Sequence, residues 1–102
     1  VSGPDEIIHQ SLRLKIMAAL CAEPKGAPGG GMLEFKRLKA ITGATDGNLG
    51  RQIEKLEEAG YISVTKDFHN KRPRTRAKVT KKGADAFDAH VAYLKSLISG
   101  LE

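Results

Sequence analysis

The chain is 102 residues long, 40% apolar and 28% charged, a balance that suits one modest soluble core and excludes a disordered or membrane-embedded chain. No apolar run approaches the roughly 20 residues that span a bilayer, so no membrane partner is expected, and with no signal-peptide pattern the expected location is cytoplasmic. The formal net charge of +5 is concentrated: residues 66–82 hold eight Lys or Arg against the single acid Asp67, a net +7, so the rest of the chain carries −2, the difference between the two.

In chain order, Val1-Ser2-Gly3 lacks an initiator Met and reads as a processing or cloning remnant, leaving 4–102 as one expected domain. Ile8, Leu12, Ile16 and Leu20 recur at i+4 after Pro4-Asp5, with Ile7 and Met17 beside them, and predict a first amphipathic helix ending near Ala22. Cys21 has no second cysteine to pair with and reads as a small apolar helix residue rather than a redox group. Residues 23–31 are rich in Gly and Pro and predict a long mobile loop. A short extended piece, Met32-Leu33-Glu34, follows.

Phe35, Leu38 and Ile41 mark the inner face of a short second helix whose outer face is Lys36, Arg37 and Lys39, and Gly43 stops it. Thr45 is placed to cap a third helix, about 46–59, with Leu49, Ile53 and Leu56 inward and Gly60 at its end. Two helices joined by a short Gly-containing connection form a helix-turn-helix pattern. The period then changes to alternation: Ile62 and Val64 point one way, and Ala77 and Val79 form the complementary run, with Arg76 and Lys78 toward solvent. Between the runs lies a basic tip, His69-Asn70-Lys71-Arg72-Pro73-Arg74, in which Asn70 suits a turn and Pro73 cannot donate to a ladder. Thr80 caps a final helix running to about Ser99, with Gly100 as its stop.

The fold class is therefore mainly α with a small β-hairpin, in the order helix, short strand, helix, helix, strand, wing, strand, helix. That order resembles the winged helix-turn-helix transcriptional regulators of the MarR and ArsR type, especially small stand-alone members. The likeness is carried by 13–20, by 35–39, by Thr45-Asp46-Gly47-Asn48-Leu49, by Lys55-Leu56-Glu57-Glu58-Ala59-Gly60-Tyr61-Ile62 and by Arg72-Pro73-Arg74-Thr75. The resemblance implies a regulator that binds double-stranded DNA, with no enzymatic activity and no cofactor. Two positions depart from the pattern. Gly50 replaces a better helix former, at about 1 kcal/mol relative to Ala. Ala77 stands where related wings carry a larger residue and predicts a less firmly anchored hairpin.

With Leu49, Ile53 and Leu56 inward, a step of about 100° per residue turns Gly47, Asn48, Arg51 and Lys55 outward. Such residues at the start of the second helix of a helix-turn-helix meet base edges in the major groove. Asn48 can read adenine and Arg51 guanine, each through two hydrogen bonds. Lys55 equally suits a solvated face, and Thr45 can serve the helix start as well as DNA. Asp46 complements the positive end of the helix. The wing residues Lys71, Arg72, Arg74 and Arg76 are expected on the backbone or in a minor groove, with Lys36 and Arg37 adding phosphate contacts.

On the last helix Ala84, Phe87, Val91, Leu94, Ile98 and Leu101 alternate in steps of three and four, a helix-pairing seam. The expected homodimer uses 80–99 with Ile8, Leu12, Phe87, Val91, Leu94 and Ile98 at the interface, and spaces its third helices about 34 Å apart. His9, His69 and His90 are scattered, and no phosphate-binding Gly motif is present. Asp88 and His90 resemble half of an ArsR-type metal site, without its second half. No residue set identifies a small-molecule effector. The rival reading is a winged helix that binds protein or RNA instead of an operator.

Overall fold

Among the residues described by the computed structural model, 3–8, 10–23 and 31–100, four helices and three strands follow in the order α1 (Ser11–Ala22), β1 (Leu33–Glu34), α2 (Phe35–Thr42), α3 (Asp46–Glu58), β2 (Ile62–His69), β3 (Arg72–Val79) and α4 (Lys81–Gly100). The strands form an antiparallel sheet in the order β1-β3-β2. Ile16, Met17 and Leu20 of α1, Leu38 of α2, and Leu49, Ile53 and Leu56 of α3 meet Ile62 and Ala77 of the sheet in one core. Each large side chain buried there contributes about 1.5–3 kcal/mol.

Local chemistry fixes the element ends. Gly43 closes α2 in the left-handed conformation, φ 72°. The end of α3 is a Schellman turn: Gly60, at φ 80°, donates to the Glu57 carbonyl and Tyr61 donates to the Leu56 carbonyl. Thr80 then ties α4 to this junction. Its hydroxyl donates to the Gly60 carbonyl at 2.7 Å and accepts from the Gly83 amide at 3.0 Å, while its own amide donates to the Tyr61 carbonyl.

Several expectations are corrected. The first helix begins at Ser11, because Asp5 Oδ1 takes the amides of Ile7 and Ile8 at 2.8 and 2.9 Å into a separate turn, and Gln10 caps the helix proper by accepting from Arg13 N. Ile8 and Leu12, expected between two copies, are 0% and 8% exposed inside this chain's own core. That leaves Ile8 no surface and Leu12 little surface to offer a partner. Ile41 is 46% exposed, since α2 touches the core mainly through Leu38. α4 continues through Gly100, the last described residue, so whether the helix stops there lies outside the described residues, as does most of the loop expected over 23–31.

The basic tip is also shorter than expected. The ladder runs from Ile62↔Val79 to His69↔Arg72, leaving Asn70 and Lys71 as a two-residue turn with φ of 52° and 65°. Both residues being left-handed is what a type I′ hairpin requires. Pro73 fits because it faces Phe68 one step from the turn, at a non-hydrogen-bonded pair where its missing N–H would point away from β2. β1 does not reach that far, ending at Glu34↔Arg76. Ala77, expected to leave the hairpin loosely held, is buried between Leu33 of β1 and Val64 of β2.

α4 packs only along its first half. Gly83 and His90 are buried and Phe87 lies against the core, whereas every residue from Lys95 to Gly100 is exposed. Leu97 and Ile98 are 48% and 64% exposed. Among the described residues no helix is long and apolar enough to cross a membrane.

Candidate nucleic-acid interface

The inner face of α3 is fixed by Leu49, Ile53 and Leu56, so Gly47, Asn48, Arg51 and Lys55 emerge together on the exposed side. Thr45 Oγ1 accepts from the Asn48 amide at 3.2 Å and so caps the helix, while its exposed hydroxyl keeps a hydrogen to donate. Asp46 sits in the positive first turn and pairs with Lys39 of α2 at 2.7 Å, which ties the two helices of the motif together. A methyl group at Gly50 would meet nothing within 4 Å, so no packing contact in the chain demands glycine there.

One α3 residue falls outside the apolar pattern. Gln52 is buried, 7% exposed, between Asn48 and α1. Arg13 of α1 donates through a terminal nitrogen to Gln52 Oε1 at 2.6 Å, and Gln52 Nε2 donates to Asn48 Oδ1 at 3.2 Å. Arg13 is itself held by an Nε hydrogen bond to the Ile7 carbonyl. The i,i+4 spacing of Asn48 and Gln52 is visible in the sequence; the partner on α1 lies 39 residues earlier and announces itself by no local signal.

The hairpin beside α3 divides its cations into two groups. Arg74 reaches Asp67 with two hydrogen bonds, Nε to Oδ1 at 3.0 Å and a terminal nitrogen to Oδ2 at 3.1 Å, and Arg76 adds a third at 3.0 Å. The hydrogen bond from Arg74, opposed by desolvation and assisted by the nearby Arg76, holds the Asp67 carboxyl below its ordinary range. Arg76, expected to face solvent freely, is half-buried, and its Nε is buried without a hydrogen-bond partner. Lys66, Lys71, Arg72 and Lys78 are exposed. The sequence showed Asp67 as a lone acid among bases, but pairing it with Arg74 needed the hairpin register.

Lys36 and Arg37 are exposed at the start of α2. A cleft of about 510 Å³ separates that end from the hairpin, with Glu34, Lys36, His69, Arg72 and Arg74 among its walls. Phe68, on the opposite hairpin edge, is 75% exposed. α3, the hairpin and the start of α2 thus offer Arg51, Lys55, Lys71, Arg72, Lys36 and Arg37 as exposed cations.

Elsewhere, no cluster of three or more His, Cys, Asp or Glu that could hold a metal occurs among the described residues. His90 is buried, and its Nδ1 accepts the Asp5 amide at 3.1 Å, while Asp88 is exposed. Cys21 is half-buried, and burial together with the charge of Asp88 pushes its thiol up, away from reactivity.

Comparison with known proteins agrees with this geometry. The chain is 33% identical over 97 residues to an uncharacterized protein of Methanocaldococcus jannaschii, covering 95% of this chain and 98% of that one. Its structure is similar to that of a transcriptional regulator homologue from Pyrococcus horikoshii, with a TM-score of 0.82 at 27% identity over 96% of this chain and 90% of the other. It shares its fold with NadR, solved in complex with 4-hydroxyphenylacetate, at a TM-score of 0.67 and 20% identity over 94% of this chain and 65% of NadR. The helix-turn-helix with its hairpin wing lies within residues 12–98, which match a family of DNA-binding domains and not of enzymes, and the chain belongs to that family, the winged helix DNA-binding domain.

Proposed function

We propose that this protein is a MarR-like transcriptional regulator that binds double-stranded DNA as a homodimer, with α3 in the major groove and the β2–β3 hairpin on the backbone or in the adjacent minor groove. The observation that carries the reading is the joint exposure of Asn48, Arg51 and Lys55 on a helix whose other face is core, beside a hairpin whose tip is Lys71 and Arg72. Arg51 suits the two acceptors of guanine, and Asn48 a second base edge. Lys71, Arg72, Lys36 and Arg37 serve phosphates.

Arg74 and Arg76 take a different part from that expected of them. Bound to Asp67, they stiffen the wing rather than reach the duplex. The exposed apolar end of α4, Leu97 and Ile98 with half-buried Leu94 and Val91 behind them, supports pairing with a second copy. Phe87 contributes less, because it lies against its own core. A two-fold axis there would set the α3 helices about 34 Å apart, one turn of DNA.

Selection from random duplex DNA, followed by anisotropy titration of the winning sequence, tests the reading. The expected result is a two-half-site motif whose affinity falls about tenfold or more on Arg51→Ala. Failure to enrich any sequence would overturn it.

A further inference from the structure

We propose that Arg13 and Gln52 are positioning residues that fix the polarity of the Asn48 amide, so that Asn48 offers hydrogen-bond donors to DNA and selects a keto base, guanine or thymine, over adenine or cytosine. The inference rests on the DNA-binding reading above and adds a specificity rule to it.

The polarity follows from a chain of forced partners. A guanidinium only donates, so the Gln52 atom 2.6 Å from Arg13 must be the carbonyl oxygen. The other end of that amide is then the NH2 group, and the Asn48 atom 3.2 Å from it must accept. Asn48 Oδ1 is therefore turned toward Gln52, which leaves Nδ2 and its two hydrogens for the exposed side. Reversing either amide would set donor against donor at a residue almost closed to water, which disfavours the flipped state by about tenfold or more. Arg13 cannot turn away cheaply, because its Nε is bonded to the Ile7 carbonyl.

An outward NH2 meets acceptors. In the major groove guanine offers O6 and N7 and thymine O4, whereas cytosine presents an amino donor and adenine sets one beside its N7. Reading adenine with two hydrogen bonds, as expected from the sequence, needs Oδ1 facing the base as well. Here that oxygen points to Gln52. The choice of base thus depends on a residue of α1 that lies behind α3.

Gln52→Glu tests this directly, since a carboxylate keeps the shape and the Arg13 contact but only accepts. Asn48 must then turn its NH2 inward and its oxygen outward. In selection from random duplexes, the position lost in Asn48→Ala should favour G or T for the natural protein and A or C for Gln52→Glu, each by about fivefold or more. Arg13→Leu, which releases the chain of partners without touching α3, should erase the preference at that position alone and leave the rest of the motif unchanged. It carries the test if Gln52→Glu does not fold. A keto preference that survives Gln52→Glu or Arg13→Leu, or an amino base selected by the natural protein, overturns the inference and leaves DNA binding standing. A natural protein that enriches no sequence overturns both.

Discussion

Asp67 and Arg74 face each other across the β2–β3 ladder and close a two-point contact of 3.0 and 3.1 Å, with Arg76 bonded to the same carboxylate. The one acid of the basic segment thus holds two of its arginines back from solvent. Asp67→Asn removes the charge that competes with phosphate for them. Low-salt affinity for duplex DNA is expected to rise about threefold or more, with the salt dependence steeper by about one in log–log slope. Anisotropy titrations at several salt concentrations check this, and weaker binding with an unchanged slope would mean that stiffening of the wing outweighs release of charge.

Gly83 is required where α4 crosses the α3–β2 junction. A Cβ there would lie 2.0 Å from the Tyr61 carbonyl oxygen, which itself accepts the Thr80 amide. Backbone cannot yield as a side-chain tip would. Gly83→Ala should cost about 3 kcal/mol, read as a lowered urea midpoint at unchanged m-value. Gly50→Ala, where a methyl meets nothing, should instead stabilise by about 1 kcal/mol.

Asp5 and Tyr61 make stability pH-dependent at both extremes. Burial works to raise the Asp5 carboxyl, but the Tyr61 hydroxyl at 2.7 Å, the amides of Ile8 and Ile7 and the neighbouring His90 together hold it below its ordinary value of 3.8. Its contribution is present above that value and lost as pH falls through the lower, folded one. Burial, joined by Asp5, pushes the Tyr61 phenol from 10.0 up to about 12. The associated stabilisation is complete below pH 10 and fades as pH rises through about 12. Urea unfolding from pH 2 to 12 should show Tyr61→Phe losing the alkaline decline, together with about 1.5 kcal/mol at neutral pH. An alkaline decline unchanged in Tyr61→Phe would exclude this hydroxyl as its source.

The far end of α4 separates self-association from folding. Ile98 is 64% exposed within the chain, so Ile98→Glu removes no intramolecular core contact. Sedimentation at micromolar concentration should give a dimer for the natural sequence and a monomer for Ile98→Glu, with far-UV circular dichroism retained. A natural chain that sediments as a monomer would contradict the assembly.

Much of the fold could be read from periodicity and punctuation. Leu49, Ile53 and Leu56 at helical spacing gave the inner face of α3, and Gly43 and Gly60 marked ends that the backbone confirms by its positive φ. Periodicity shows that a face is covered, not by what: Ile8 and Leu12 suited either a partner or a core, and only the packing of α1 and of the turn before it assigns them to the core. The wing was visible as charge. Its division into bound Arg74 and Arg76 and exposed Lys71 and Arg72 depended on a register that the turn geometry of Asn70 and Lys71 sets. The Arg13–Gln52–Asn48 chain was beyond reach for the same reason, being a contact between helices rather than within one.

The central claim is that exposed cations of α3, the hairpin and α2 hold a DNA duplex in a two-fold complex. Its most direct test is the salt dependence of binding to the selected duplex. Neutralising roughly six to eight phosphates should make log affinity fall with log salt at a slope of about −5 to −7. A slope near zero would contradict it.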